Sequence, residues 1–209
     1  MMAKIAVFDQ QAANYDAWFD IHVEVFQAEV AAIRAAVPTS GRGVEIGVGT
    51  GRFAISLQIP VGVEPSSSMA ELARQRGIDV LEGIAEALPL PDASFDYAVM
   101  VTVVCFLDDV ATAFREAWRI LKRGGVLVIG FIDRESELGK AYERKKKQSE
   151  FYRDATFYSV SELVKLMSEA GFRGFSYRQT LLAEEAVRLN VVGGHGSGGF
   201  VVIRAIKVE

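Results

Sequence analysis

The chain is poor in several residue types and features, and each shortage excludes something. One cysteine, Cys105, stands in 209 residues, so no disulfide framework forms within the chain and a reducing compartment suits it. No apolar stretch approaches the length needed to span a bilayer. The start, Met1 to Phe8, lacks the charged opening and long apolar run of a signal peptide, and the cytoplasm is the expected location. Basic residues are outnumbered: 23 Lys and Arg against 27 Asp and Glu give a net charge of -4, which argues against a general affinity for nucleic-acid backbone. What remains, 50% hydrophobic and 24% charged, is the balance of a soluble globular protein with a sizeable core. No internal repeat, low-complexity tract or domain boundary interrupts it, so one domain is expected over 1–209.

Periodicity then orders the elements. Tyr15, Phe19, Phe26, Val30, Ile33 and Val37 recur every three or four residues and predict one helix over 12–37, closed by Pro38 and Gly41. Short strands are expected at Gly43 to Ile46, Ile59 to Val63 and Ile78 to Leu81, with helices from Arg52 to Leu57 and from a capping box at Ser68 to near Gly77. The β-branched run Phe95 to Phe106 predicts a long central strand buried on both faces. A helix from Asp108-Asp109 is expected to end at Gly124 with Lys122 and Arg123 in its last turn. Val126 to Ile132 follows as a strand, then a polar helical stretch over 134–150. A capping box, Ser159 to Glu162, opens a helix ending at Gly171. Two closing strands, about 174–182 and 199–207, lack a helix between them and predict an antiparallel hairpin at a sheet edge. The alternation implies an α/β fold with a parallel sheet covered on both sides.

The most specific motif lies between the first strand and its helix, Val44-Glu-Ile-Gly-Val-Gly-Thr-Gly51. Glycines 47, 49 and 51 let the backbone turn sharply and approach a ligand. The third glycine comes one residue early for a dinucleotide fingerprint, and no lysine follows to make a P-loop. Glu45 would repel a pyrophosphate but suits a ligand with a cationic amino group. Glu64, at the end of the second strand before Pro65, can accept hydrogen bonds from both hydroxyls of a ribose.

On these residues the sequence resembles the class I S-adenosylmethionine-dependent methyltransferases, and is most similar to the small ubiquinone/menaquinone-biosynthesis (methyltransferase type 11) group. Glu45 to Gly51 resembles the family's first motif and Val63-Glu-Pro-Ser-Ser-Ser-Met69 its second-strand motif. Ala85-Glu-Ala-Leu-Pro89 with Ser94-Phe-Asp96, Arg115 to Gly125, and Tyr15-Asp-Ala-Trp18 match further stretches. The resemblance implies a three-layer Rossmann-like sheet of about seven mostly parallel strands with an antiparallel last strand. It also implies a covering N-terminal helix (12–40), a cofactor-binding core (43–132), a lid (133–157) and a C-terminal helix and hairpin (158–209). It implies S-adenosyl-L-methionine as cofactor. Glu45, Gly47, Gly49 and Gly51 would serve the methionine end, Glu64 with Pro65 the ribose, Met69, Ile84, Ala85 and Glu86 the adenine, and Thr102 the sulfonium, with Tyr15 and Trp18 capping the site. Relatives carry an aspartate where Ile84 stands, so adenine recognition here is either weaker or supplied by Glu86.

Methyl transfer from a sulfonium can rest on positioning alone, so no catalytic dyad is required. His22, Tyr142 and His195 are candidate general bases; packing for His22 and a turn position for His195 are the structural alternatives. Asp133 could face the acceptor or cap a helix, Lys145 to Lys147 could bind an acidic acceptor or form a solvated face, and Cys105 reads as core filler. No metal site is expected. A single cysteine does not supply the thiol cluster of arsenite methylation, and Thr102 to Phe106 lacks the Asn/Asp-Pro-Pro-aromatic motif of amino-group DNA methylation. The sequence therefore supports methyl transfer to a small-molecule acceptor, with a protein or RNA acceptor, or a non-catalytic nucleotide-binding protein of this fold, as alternatives. It is silent on oligomeric state.

Overall fold

The computed structural model describes residues 2–182 and 190–208. Helices α1 (Met2–Ile21) and α2 (Val23–Arg34) precede strand β1 (Gly43–Ile46). There follow α3 (Arg52–Leu57), β2 (Val61–Glu64), α4 (Ser67–Gln75), β3 (Asp79–Glu82), β4 (Phe95–Val101), α5 (Val110–Ile120) and β5 (Leu121–Ile132). The chain continues with α6 (Glu137–Lys145), α7 (Val160–Glu169), β6 (Phe172–Leu182), β7 (Val192–Gly193) and β8 (Gly198–Lys207).

The strands form one sheet in the order β3-β2-β1-β4-β5-β8-β6-β7. The first five are parallel neighbours, and β8 runs antiparallel to both β5 and β6. The expected Rossmann-like α/β architecture with an antiparallel last strand is therefore present, with the two-residue β7 added outside the closing pair. Strand order reverses between β1 and β4, the position where open α/β sheets hold ligands beyond the strand C-termini.

The central strands are apolar throughout because both faces are covered. Ala98 and Met100 of β4 face a core built with α5 and α7. Tyr97, Val99 and Val101 face a second core built with Phe19 and with α2, α3 and α4. A strand alternates its side chains, so the continuous run serves both layers.

The structure corrects four boundaries. The single helix expected over 12–37 is two helices. The backbone breaks at His22 (φ -113°, ψ 46°), between the exposed side chains of Ile21 and Val23, which no core holds in register. The fourth strand stops at Val101, because Thr102 adopts φ +52° while its N–H donates to the Gly130 carbonyl at 2.8 Å, and a 3₁₀ turn covers Val104–Phe106. Helix α5 ends at Ile120, since burial of Leu121 and its pairing with Phe95 draw the chain into the sheet, and Lys122 and Arg123 lie in β5 rather than a helical turn. The cap of α4 is Ser66, whose hydroxyl accepts from the Met69 N–H at 3.3 Å. The capping box at Ser159 and Glu162 forms as expected.

Candidate active site

The glycine turn leaves β1 and makes three left-handed steps, at Gly47 (φ +73°), Gly49 (φ +53°) and Gly51 (φ +85°). Two of them show why no side chain is used. A Cβ on Gly51 would come within 3.1 Å of the Ala73 backbone, which packs α4 against the turn. A Cβ on Gly49 would meet no protein atom within 4 Å, and Gly49 lines an open cavity of about 120 Å³.

Glu64 closes the other side of that cavity. It is 7% exposed, and its carboxylate accepts from the Gly49 N–H at 2.8 Å and the Ser66 N–H at 3.0 Å. Burial outweighs these two bonds and pushes its pKa up to about 7. Tyr15, Gly47, Pro65, Met69, Ile84, Ala85, Glu86 and Thr102 line the same cavity, as do Phe8 and Asp108. Ten of the thirteen residues expected at the cofactor are thus brought together.

The remaining three lie elsewhere. Glu45, 1% exposed, sits beneath the turn and accepts from the Ala54 N–H in the first turn of α3. Its other oxygen is buried with no hydrogen-bond partner. Gly51 forms the start of α3 and lines neither this cavity nor the next. Trp18 faces a second, larger cavity. Glu86 is spoken for: its carboxylate accepts from the backbone N–H groups of Asp108 at 2.9 Å and Asp109 at 3.3 Å, holding the approach to α5.

The larger cavity, about 720 Å³, meets the first at Tyr15 and Thr102, which line both. Burial pushes the Tyr15 hydroxyl up, and it hydrogen-bonds the Thr102 side chain. The walls are aromatic, including Trp18, Phe19, Phe53, Tyr142, Phe151 and Tyr152. Glu29 also lines it, and the sequence reading passed over this residue. It projects from α2 at 6% exposure, and burial pushes its pKa up to about 8. A signal was present: Phe26, Glu29 and Ile33 are spaced three and four apart, so a carboxylate stands on the apolar stripe.

The candidate bases separate. His22 is exposed at the break between α1 and α2, stacked on Trp18 (4.5 Å between centroids) with Nδ1 3.0 Å from the Trp18 carbonyl, at the rim of the larger cavity. Tyr142 lies in that cavity, where burial raises its pKa and keeps it a neutral hydrogen-bonding group. His195 packs edge-on against Tyr177 and lines neither cavity. Asp133 shapes the turn before α6, its carboxylate accepting from the Glu135 N–H at 3.1 Å, and α6 itself is capped by Ser136. Lys146 pairs with Glu143 at 2.9 Å, and the lysine run lines neither cavity. Cys105 is buried beneath the Thr102 carbonyl. Among the described residues no group of His, Cys, Asp and Glu is arranged to hold a metal, and no helix is long and apolar enough to cross a membrane.

A second feature missed in the sequence holds α1 over the glycine turn. The Asp16 carboxylate accepts from Arg52 Nε at 2.9 Å and from Arg76 at 2.7 Å, while Arg76 also donates to the Thr50 carbonyl at 2.6 Å. Asp20 takes a further pair of bonds from Arg52. At the other end, Asp9 accepts from the Ser66 hydroxyl at 2.6 Å.

An adenosyl ligand fits this donor set. Gly49 offers bare backbone against open space, Glu64 turns a carboxylate into the same space, and Met69 and Ala85 supply apolar walls for a base. Comparison with known proteins agrees. The methyltransferase domain family model matches residues 44–129. An uncharacterized protein of Methanocaldococcus jannaschii is 44% identical over 97% of this chain and 99% of its own length. A demethylmenaquinone methyltransferase of Roseiflexus castenholzii is 27% identical over 77% of this chain and 79% of its own. The crystal structure of an S-adenosylmethionine-dependent methyltransferase of Thermotoga maritima, a possible histamine N-methyltransferase, superposes with a TM-score of 0.94. It is 50% identical and covers 98% of this chain and 99% of the other. With its glycine turn, its two chambers and these relatives, the chain belongs to the S-adenosylmethionine-dependent methyltransferases, enzymes for which S-adenosylmethionine is the cofactor.

Proposed function

We propose that this enzyme methylates a small-molecule acceptor held in the larger cavity, with the cofactor's adenosyl end in the smaller one. The observation that carries the reading is the meeting of the two chambers at Tyr15 and Thr102. About 720 Å³ lies within the ordinary range of small-molecule sites, and the recessed aromatic walls suit a compact body better than a polymer chain.

When bound, the cofactor supplies a methyl group activated by a positively charged sulfur. The chain's own residues do the rest. Glu64 would accept from the ribose hydroxyls, the bare backbone at Gly47 and Gly49 would let the ligand lie close, and Met69, Ile84 and Ala85 would give the base apolar contact. Glu45 supports the turn from below by holding the start of α3. Thr102 and Tyr15 would mark the boundary between cofactor and acceptor, and the aromatic rings of the larger cavity would exclude water from it. Helix α1 and residues 133–157 serve as the lid. The demethylmenaquinone relative supports placing the chain in the ubiquinone/menaquinone-type group, and the single buried cysteine supports a cytoplasmic setting.

The test is product formation. Purified protein with S-adenosylmethionine and a protein-free, RNA-free metabolite extract should release S-adenosylhomocysteine and yield a small product heavier by one methylene. Turnover that appears only when the protein or RNA fraction is restored overturns the small-molecule reading.

A further inference from the structure

The larger cavity holds one buried carboxyl group that nothing in its surroundings explains. Glu29 is 6% exposed and faces the cavity, yet among the described residues no hydrogen bond or ion pair reaches its carboxylate. A buried carboxylate left unpaired is costly, and its persistence points to a function. Its negative charge is felt by the hydroxyls of Tyr15, Tyr142 and Tyr152, three residues of the same cavity wall. Tyr15, with Thr102, also lines the cofactor chamber, so one of the three hydroxyls that feel Glu29 belongs to both cavities. The other charged groups on the lining are Glu135, Glu137 and Lys140, with His22 at the rim, and the acids outnumber the single lysine.

Resting on the small-molecule reading above, we propose that the acceptor is an organic amine with an apolar body, bound as a cation on Glu29, and that Glu29 accepts its proton before transfer. Three observations select an amine. A cation supplies the partner that the buried carboxylate lacks. The faces of Trp18, Tyr142, Phe151 and Tyr152 attract positive charge and cover apolar surface. An anionic acceptor, such as a carboxylate or phenolate, would meet like charge at Glu29.

The step balances. The ammonium gives one proton to the Glu29 carboxylate, leaving a neutral amine with a free electron pair and a carboxylic acid. That pair forms the new N–CH₃ bond as the S–CH₃ bond breaks, with the bonding electrons remaining on sulfur. The product leaves as an N-methylammonium ion with S-adenosylhomocysteine, and the proton left on Glu29 passes to water when the next ammonium pairs with that carboxylate. Burial suits Glu29 to this role, since a carboxylate raised to about 8 takes up a proton near neutral pH.

The test uses the protein loaded with S-adenosylhomocysteine. Binding of 2-phenylethylamine and tryptamine is measured by calorimetry against their neutral isosteres, 2-phenylethanol and tryptophol. At least one amine should bind about tenfold or more tighter than its alcohol. Glu29→Gln, which keeps the shape and removes the charge, should abolish that preference while leaving S-adenosylhomocysteine affinity within about twofold, and Glu29→Asp should restore part of it. Amines no better than alcohols in a protein that binds S-adenosylhomocysteine would overturn the inference alone. A Glu29→Gln variant that loses S-adenosylhomocysteine instead would place Glu29 on the cofactor and overturn it too. Failure of the wild-type protein to bind S-adenosylhomocysteine would overturn the underlying reading.

Discussion

Exchange of Glu64 for glutamine probes the cofactor site with the least disturbance of shape. The carboxylate now accepts from two backbone donors, Gly49 at 2.8 Å and Ser66 at 3.0 Å, and has lone pairs left for the cavity. A carboxamide has one acceptor oxygen, so one of those donors meets an N–H₂ group and the cavity loses a charged acceptor. A hydrogen bond to a charged group contributes about 1.5–3 kcal/mol, which at about 1.4 kcal/mol per decade raises the dissociation constant of S-adenosylhomocysteine about 10- to 100-fold. Ionisation supplies a second signature. Burial holds Glu64 at about 7, so below that pH the ligand-free carboxyl is protonated, and ribose binding must displace the proton. Wild-type affinity should therefore be full above pH 7 and fall as the pH drops toward 6, whereas the glutamine variant shows no such dependence. Titration calorimetry at pH 8.5 and pH 6, with circular dichroism confirming the fold, reads both effects. An unchanged dissociation constant in the folded variant, or a wild-type affinity flat across that window, refutes the assignment.

Three further outcomes are expected. Asp16→Asn should loosen α1 and speed proteolysis within residues 2–21 at a cost of about 1 kcal/mol in urea unfolding, discounted for partial exposure. Burial opposes ionisation of Asp16, but hydrogen bonds from Arg52, Thr50 and Arg76 outweigh it and hold the pKa at about 2. The wild-type advantage should thus be complete above pH 4 and vanish as the pH falls toward 2. Gly51→Ala, at φ +85° and against the Ala73 backbone, should destabilise the fold by about 2 kcal/mol; a melting temperature equal to wild type would contradict the packing described. Glu29 ionises near its ordinary pKa when unfolded but near 8 when folded, so wild-type stability should decline as the pH rises through that interval, by several kcal/mol at about 1.4 kcal/mol per tenfold change in the ionisation constant. Glu29→Gln should then melt higher than wild type at pH 9 and level with it at pH 5, and an equal difference at both would argue against a buried unpaired charge.

Much of the fold could be read in advance because the glycine turn, the apolar strands and the helix caps are local signals. Residues 43–46 and 52–57 coincide with β1 and α3, and the glycines between them need no long-range information. The errors lie where tertiary structure overrides local preference. Thr102-Val-Val104 has strand composition, yet the bond from Thr102 to Gly130 turns the chain. Leu121 leaves its helix because the sheet buries it. Most of the smaller cavity was legible because its residues sit at strand ends and in one turn. The larger cavity was not, since it joins α1, α2, α6 and the loop before β8, segments far apart in the chain. Glu29 was missed because the apolar stripe on α2 was read for its hydrophobic members alone. The Asp16 clamp depends on Arg52 and Arg76, whose separation of 36 and 60 residues leaves no local trace.

Tyr15, a single side chain that lines both chambers, has a thermodynamic consequence. Any adjustment it makes for one occupant is felt by the other, so the two occupancies cannot be independent. By reciprocity, the factor by which the nucleoside changes the grip on the methyl acceptor must equal the factor by which the acceptor changes the grip on the nucleoside.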